Sequence, residues 1–185
     1  MVKCVLLNSG GIDSRVCAAI LKDGACWETH SLFIDWNVRA RPMANDCAKA
    51  TANLYCDSHV EFSYPVDWAC LNEAQGKWTT QYATMTSTML GLQYARKIGA
   101  SYVINGTRME LTGEPEWPVR LNGVISANRI QGDRIVSFPI YDLTNDEVTE
   151  KAKSLGVDIA TTWSCSQYPA CGACSSCRRR KEQGL

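Results

Sequence analysis

The feature that most constrains the fold of this chain is an apolar run that leads straight into two consecutive glycines. Residues 2–7 (VKCVLL) are almost continuously apolar, as expected of a strand that is buried on both faces of a parallel sheet. NSGG follows at residues 8–11, and the apolar side chains of residues 16–21 then share one face of a helix. This order places the glycines at the carboxyl end of a strand, where open α/β sheets bind their ligands.

Strands and helices alternate along the rest of the chain. Strand-like runs at residues 30–35, 59–64, 101–106 and 135–141 are separated by segments with helical periodicity. Strands that alternate with helices in this way are joined by right-handed crossovers. We therefore predict the α/β class, with a doubly wound parallel sheet of five strands and all of residues 1–185 in a single domain.

Three helix starts can be placed between these strands. One helix is expected just after Pro42, and another from Met85, where apolar residues recur at helical spacing. Thr144 and Glu147 have the spacing of a capping box, in which each side chain bonds the backbone amide of the other residue. A third helix is therefore expected to begin at Thr144 and to end at Gly156.

Composition and charge exclude several classes of function. Hydrophobic residues make up 45% and charged residues 21%, the proportions of an ordinary soluble globular protein. No apolar run is long enough to cross a bilayer, and we read no export signal before the first strand. The 19 basic and 19 acidic residues cancel, so no overall field attracts nucleic acid. We expect a cytoplasmic protein with neither a membrane nor a nucleic acid as its partner.

Residues 9–14 (SGGIDS) have the chemistry of an anion-binding loop. The first amides of a helix have no partner within it, and glycine lets the backbone approach a phosphate closely, while Ser9 and Ser14 add hydroxyl donors. Asp13 would repel a phosphate unless a cation stood between them, which points to a magnesium–nucleotide complex. The motif lacks the Gly-Lys-Ser/Thr of a Walker A loop and the third glycine of a dinucleotide-binding loop. The alternative is a tight strand-to-helix turn without a ligand.

Four of the ten cysteines are crowded into residues 165–177. Cys165, Cys171, Cys174 and Cys177 have the spacing C-x5-C-x2-C-x2-C, which suits one tetrahedral zinc ion in a closed structural site. One alternative is an iron–sulfur cluster, and another is four free thiols that bind no metal. The basic run Arg178–Lys181 either faces a phosphate or is a solvated run of charge.

The glycine-containing motif carries a family resemblance. SGGIDS is similar to the SGGxDS signature of the PP-loop ATP pyrophosphatases, which bind ATP there and cleave it between the α- and β-phosphates. Together with TWSC and CGACSSC near the other end, the chain resembles the QueC family of 7-cyano-7-deazaguanine synthases over nearly its whole length. FPIYDLTNDEVTEKAKSLGV, residues 138–157, is similar to a segment of the same family.

The resemblance implies a reaction. ATP would adenylate the carboxylate of 7-carboxy-7-deazaguanine and release pyrophosphate, and ammonia would displace AMP to give an amide. A second adenylation, of the amide oxygen, would allow dehydration to the nitrile. The resemblance further implies ATP, Mg²⁺ and Zn²⁺ as cofactors, a deazapurine carboxylate and ammonia as small-molecule partners, and a homodimer.

The resemblance also assigns site residues. Asp13 and Ser14 would be catalytic, and the four crowded cysteines would bind zinc. The residues expected to bind ATP are Asn8, Ser9, Gly10, Gly11, Ile12, Asp13, Ser14, Arg15 and Gly106. Arg15 stands where the family usually has threonine.

Residues 108–120 (RMELTGEPEWPVR) depart most from the family, at its substrate segment. Trp117 and Arg120 are our candidates for the substrate wall, because a polar loop after a strand end often carries specificity. The alternative is that Trp117 is a buried anchor and Arg120 a surface residue.

Two other functions compete with the synthase. One is a PP-loop enzyme that adenylates another carboxylate or a tRNA base for amidation or thiolation, with an iron–sulfur cluster on the cysteines. The other is a non-catalytic nucleotide-binding module stapled by zinc.

Overall fold

The fold is given by a computed structural model, which describes residues 1–36, 41–64, 78–127 and 132–184, without the side chains of residues 41 and 78–82. The strands among these residues are β1 (Val2–Leu7), β2 (Trp27–Asp35), β3 (Ser58–Ser63), β4 (Tyr102–Ile104) and β5 (Ile135–Ser137). They form one sheet in the order β3-β2-β1-β4-β5, and every adjacent pair is parallel. The α/β class and the five parallel strands are confirmed.

Helices connect the strands and cover both faces of the sheet. They are α1 (Ile12–Asp23), α2 (Arg41–Tyr55), α3 (Trp78–Ile98), α4 (Met109–Thr112), α5 (Trp117–Ala127), α6 (Asn145–Ser154) and α7 (Ser175–Glu182). Among the described residues, no helix is both long and apolar enough to cross a membrane.

Alternate residues of β1 face opposite layers of the core. Cys4 and Leu6 belong to an apolar cluster built with α1 and α6, whereas Val5 and Leu7 belong to a second cluster built with α3 and α5. Cys4, Val5 and Leu6 are fully buried. Burial on both faces explains why the sequence of this strand is apolar throughout, and the two helical layers make the sheet doubly wound.

Two helices begin earlier than predicted. The helix expected from Met85 begins at Trp78, because residues 78–84 contain no glycine or proline that would stop it, although they lack a regular apolar repeat. The helix expected after Pro42 begins at Arg41. A proline is tolerated in the first turn, since the amide that it lacks would have no partner there.

The region of β5 and α6 confirms one expectation and corrects another. The amide of Glu147 donates to the Thr144 hydroxyl at 3.3 Å, and the amide of Thr144 donates to the Glu147 carboxylate at 2.8 Å. The predicted capping box is therefore present at the start of α6. The strand predicted over 135–141 ends at Ser137, since Pro139 has no amide to add to the ladder.

Candidate functional site

The carboxyl ends of β1, β2 and β4 open into a cavity of about 700 Å³. Residues 8–14, here called the glycine loop, line one side with every residue except Gly10, and residues 105–108 after β4 line another. Residues 162–166 and α7 complete the wall. The cavity lies at the switch point of the sheet, where the strand order leaves β1 in both directions, and its volume suits a small-molecule ligand.

The glycine loop is shaped by two glycines with different roles. Gly10 has a φ of +77°, and a Cβ there would lie 2.2 Å from the carbonyl oxygen of Ala44 in α2. Gly11 is the N-cap residue of α1 and offers no side-chain acceptor to the free amides of the first turn. These amides are therefore left available to a ligand, beside the positive end of the helix dipole.

Asn8 holds the glycine loop in place from within the protein. Its Nδ2 atom donates to the Ser31 hydroxyl and to the carbonyl oxygen of Ala48, both at 2.9 Å. Its Oδ1 atom accepts from the amide of Gly10 at 3.1 Å. Asn8 is buried, so its role in the loop is one of position.

Most residues that were expected to bind ATP do line the cavity. They are Asn8, Ser9, Gly11, Ile12, Asp13, Ser14 and Gly106. Gly10 and Arg15 do not line it. At Gly106 a Cβ would lie 3.1 Å from the backbone of Asp13, so a side chain there would crowd the first turn of α1.

The four crowded cysteines form a cluster next to the cavity, which Cys165 lines. The sulfurs of Cys165, Cys171, Cys174 and Cys177 all lie within 4.8 Å of one another, with separations of 3.7 to 3.9 Å recorded for three pairs. Four sulfurs placed tetrahedrally at about 2.3 Å from one ion would be about 3.8 Å apart. The set therefore fits a single tetrahedral ion, whereas a cluster of several iron and sulfide atoms would hold the sulfurs farther apart.

Backbone amides favour a thiolate in this knuckle (residues 165–177). The amides of Ala173 and Cys174 lower the pKa of Cys171 to about 6. Burial raises the pKa of Cys177 to about 12. Cys174 is also the N-cap of α7, and its sulfur accepts from the amide of Cys177 at 3.4 Å. Because the thiolate is the form that binds metal, the knuckle is arranged for metal binding.

Comparison with known proteins decides the family. The family model described as "Queuosine biosynthesis protein QueC" matches residues 82–184, more than half of the chain. This chain belongs to the QueC family. Its relatives include 7-cyano-7-deazaguanine synthase 1 of Sphingopyxis alaskensis, which is 27% identical with 96% of this chain and 91% of that protein aligned. The 7-cyano-7-deazaguanine synthase of Methanothermobacter thermautotrophicus is 23% identical, with 97% and 93% aligned.

Solved structures share the fold of this QueC family member. A predicted subunit of tRNA methyltransferase from Methanocaldococcus jannaschii has a TM-score of 0.56 at 14% identity, covering 92% of this chain and 95% of that one. The NH3-dependent NAD synthetase of Campylobacter jejuni has a TM-score of 0.56 at 17% identity, covering 86% of this chain and 66% of its own. Identities this low carry the fold and not the function.

Asp13 of this QueC family member is held by two arginines that the motif did not predict. The Arg108 Nε atom donates to Asp13 Oδ1 at 3.1 Å, and Arg179 Nη2 lies 3.7 Å from the same oxygen. Arg108 also donates to Glu110 and Asn145, both at 2.8 Å. Burial raises the pKa of Asp13, and the two guanidinium groups oppose that shift. Magnesium was expected because Asp13 needed a cation beside a phosphate, and in the structure these arginines supply that charge.

Arg15, which was expected to bind ATP, instead joins separate segments of this QueC family member through hydrogen bonds. Its side chain is fully buried, and Nε donates to the Thr51 hydroxyl at 2.8 Å. The Nη atoms donate to the carbonyl oxygens of Cys47, Asp158 and Thr161 at 2.9 to 3.2 Å. Since Arg15 lies about 100° around α1 from Ser14, it faces α2 and the segment after α6 instead of the cavity.

Trp117 and Arg120, the candidates for the substrate wall, do not line the cavity. The buried ring of Trp117 packs against Phe138 and Tyr141, with centroids 5.6 and 6.5 Å away. The exposed Arg120 pairs with Glu114 at 3.0 Å. Their segment was taken for a loop, but it folds into α4 and the start of α5, which turns both side chains away. The neighbouring residues that do line the cavity are Thr107, Arg108, Glu110 and Leu111.

The basic run that follows the knuckle is divided between the cavity and the surface. Arg179 and Arg180 line the cavity, whereas Lys181 is exposed. Arg178 donates to a knuckle carbonyl at 2.8 Å, and Arg180 donates to the carbonyl oxygen of Thr162 at 2.9 Å. The solvated face therefore describes Lys181, whereas Arg179 lies on the cavity wall, where its contact with a phosphate stays a prediction.

Proposed function

We propose that this protein is an ATP-dependent synthase that converts 7-carboxy-7-deazaguanine and ammonia to 7-cyano-7-deazaguanine. The observation that carries the proposal is that proteins named 7-cyano-7-deazaguanine synthase align with at least 96% of the chain. The geometry supports it, because the glycine loop and the cysteine knuckle, which carry the resemblance, border the same cavity.

ATP would bind with its phosphate chain at the first turn of α1. The amides of this turn have no intrahelical acceptors, and Gly11 provides no cap. The hydroxyls of Ser9 and Ser14 lie 3.4 Å apart beside them. Donors that are fixed in advance in this way stabilise the charge that develops on departing pyrophosphate. Ser14 would act here by contact with the phosphates, and Asp13 would act by holding Arg108 and Arg179 beside them.

The reaction would use two adenylations. The carboxylate oxygen attacks the α-phosphorus of ATP and pyrophosphate leaves. Ammonia then attacks the acyl carbon, AMP leaves, and loss of a proton gives the amide. The amide oxygen attacks the α-phosphorus of a second ATP and pyrophosphate leaves. Loss of AMP and of both protons from the nitrogen then completes the nitrile. This sequence needs no nucleophilic side chain, and its requirement for charge stabilisation matches what the loop offers.

Zinc would occupy the knuckle, held by Cys165, Cys171, Cys174 and Cys177. A closed set of four thiolates leaves no coordination position for substrate, so the metal would supply structure. ATP would arrive as its magnesium complex, the usual partner of substrate phosphates. We assign no side chain to Mg²⁺, since Arg108 and Arg179 already face Asp13.

The proposal is tested by incubating the protein with ATP, magnesium, ammonium and 7-carboxy-7-deazaguanine, and by following AMP, amide and nitrile by mass spectrometry. We expect the amide to appear first and the nitrile to follow, with AMP released at both steps. Gly10→Ala should abolish turnover. Gly99→Ala, at a similar φ of +70° but with open space around its Cβ, should retain it.

Two results would overturn parts of the proposal. Release of AMP with a different carboxylic acid, and none with 7-carboxy-7-deazaguanine, would remove the substrate assignment and leave the adenylation chemistry. Tight ATP binding with no AMP from any acid would favour the non-catalytic module.

A further inference from the structure

Arg179 lies between the glycine loop and the cysteine knuckle, where it lines the cavity. Its Nε and Nη2 atoms are buried, and neither has a hydrogen-bond partner in the described part of the chain. Its ion-pair contact, from Nη2 to Asp13 Oδ1, is 3.7 Å long, which exceeds the length of a normal hydrogen bond. That carboxylate oxygen already accepts from Arg108.

The other two arginines on the cavity wall differ from Arg179 in this respect. Arg108 donates to three side chains, and Arg180 donates to the carbonyl oxygens of Ala160 and Thr162. A guanidinium that is stripped of water without replacement bonds is costly to bury. The geometry of Arg179 is therefore best explained by a ligand that brings acceptor oxygens to its nitrogens.

We propose that Arg179 binds the β- and γ-phosphates of ATP and retains contact with the departing pyrophosphate. It would be the second half of an anion site whose first half is the first turn of α1. Phosphate oxygens match the planar fork of a guanidinium, and a polyphosphate chain can reach both halves at once. The inference rests on the proposed function in taking ATP as the nucleotide.

The knuckle sets the position of this side chain. Arg179 follows the ligand Cys177 by two residues, in a helix whose N-cap is the ligand Cys174. A metal that orders the knuckle would thereby fix Arg179 against the glycine loop, so the structural metal would contribute to nucleotide affinity without touching the nucleotide.

The test is calorimetric titration of the metal-loaded full chain with inorganic pyrophosphate, with a non-hydrolysable α,β-methylene analogue of ATP, and with AMP. For Arg179→Gln we expect affinity for pyrophosphate and for the analogue to fall about 10- to 100-fold, with AMP affinity unchanged. Arg179→Lys keeps the charge but loses the planar fork of the guanidinium. Its affinity for pyrophosphate should therefore lie between those of the wild type and of Arg179→Gln. Lys181→Gln removes the same charge from an exposed position of the same helix and should change affinity less than about 2-fold.

A structural role is distinguished by the melting temperature of the free protein. Arg179→Gln removes two buried nitrogens without hydrogen-bond partners, but it also removes a charge 3.7 Å from Asp13. Because these effects oppose each other, we expect the melting temperature to change by less than about 4 °C, and a larger fall would count against the proposal. Unchanged affinity for pyrophosphate would overturn it. Weaker binding of 7-carboxy-7-deazaguanine alone would also overturn it, by assigning Arg179 to the acid. Because pyrophosphate binding needs no turnover, this result is independent of whether nitrile is formed.

Discussion

The amide of Trp163 donates to the carbonyl oxygen of Gly10 across 2.9 Å, which joins the entry to the cysteine knuckle to the glycine loop. The indole Nε1 of Trp163 donates in turn to the carbonyl oxygen of Cys165, at 2.7 Å. The loop and the first cysteine of the knuckle are therefore linked through a single residue. Disorder in the knuckle should therefore also disturb the conformation of the glycine loop.

Removal of the metal should lower both stability and nucleotide affinity. Cys174→Ser deletes a ligand at the N-cap of α7, and we expect the melting temperature to fall by about 10 °C or more and pyrophosphate to bind more weakly. Thermal unfolding, calorimetry and metal analysis measure these effects. The purified protein should be colourless and contain zinc, and an iron–sulfur absorbance would contradict the single-ion geometry.

The control for this change is Cys26→Ser, at an exposed cysteine just before β2. It should alter neither metal content nor affinity. A knuckle variant that lost its metal and still bound pyrophosphate at wild-type strength would show that knuckle and loop are not coupled.

Replacement of Arg15 should affect stability and leave nucleotide affinity unchanged. Arg15→Met keeps the length of the side chain but removes its hydrogen bonds to the Thr51 hydroxyl and to three backbone carbonyls. We expect a loss of about 3 kcal/mol in the free energy of unfolding, or roughly 6–12 °C in melting temperature. Arg96→Met, at an exposed position of α3, should change neither the stability nor the nucleotide affinity. If Arg15→Met kept wild-type stability but bound pyrophosphate weakly, Arg15 would have to be assigned to the binding site.

Gly10 and Gly99 allow the effect of crowding to be separated from that of backbone conformation. Both have positive φ, +77° and +70°, so alanine at either position should cost about 1–2 kcal/mol in the free energy of unfolding. Only at Gly10 does the new Cβ meet a backbone atom, Ala44 O at 2.2 Å. Urea unfolding should show a further loss of about 1–3 kcal/mol for Gly10→Ala, together with lost pyrophosphate binding. Equal losses at the two positions would rule out the contact with Ala44 as the cause.

His59 is joined to the glycine loop by a chain of hydrogen bonds. Asn8 donates to the Ser31 hydroxyl, and that hydroxyl shares a hydrogen bond of 2.9 Å with His59 Nδ1. The charged groups that face His59 are Glu61, 4.0 Å away, and Lys49, which pairs with Glu61 at 2.7 Å.

This arrangement predicts that stability falls as the pH drops below about 6.5. Burial lowers the pKa of His59 from its ordinary value of 6.5. Below that value the unfolded chain binds a proton that the folded chain does not, so the free energy of unfolding decreases until the folded-state pKa is reached. Urea unfolding at pH 7.5 and 5.5 measures the slope. His59→Gln should reduce it, and an unchanged slope would assign the effect to other groups.

The parts of the site that depend on local patterns could be predicted from the sequence. The apolar run of β1, the conformation required of Gly10 and the spacing of the cysteines are each readable within a few residues. Arg108 was not assigned, and Arg179 was only part of a basic run with two interpretations, because the role of each depends on which side chains the fold brings to Asp13. Arg108 is 95 positions away from it. The polar run Asn-Gly-Thr-Arg directly after β4 was the available signal for Arg108.

Trp117 and Arg120 illustrate the opposite error. Glycine and proline in residues 108–120 favoured a loop, and a loop at a strand end favoured contact with substrate. Pro118 instead lies in the first turn of α5, where proline is tolerated, and the helix directs Trp117 into the core.

The long sequence separation of the groups around the cavity has a consequence for folding kinetics. The guanidinium of Arg15 bonds the carbonyl oxygen of Thr161, 146 positions away, and α7 follows later still. Contacts of such separation form only after the entropy of closing a long loop has been overcome. We therefore expect the sheet to form before the cavity does. A metal at the knuckle and pyrophosphate at the cavity would therefore act by capturing the last stage of refolding.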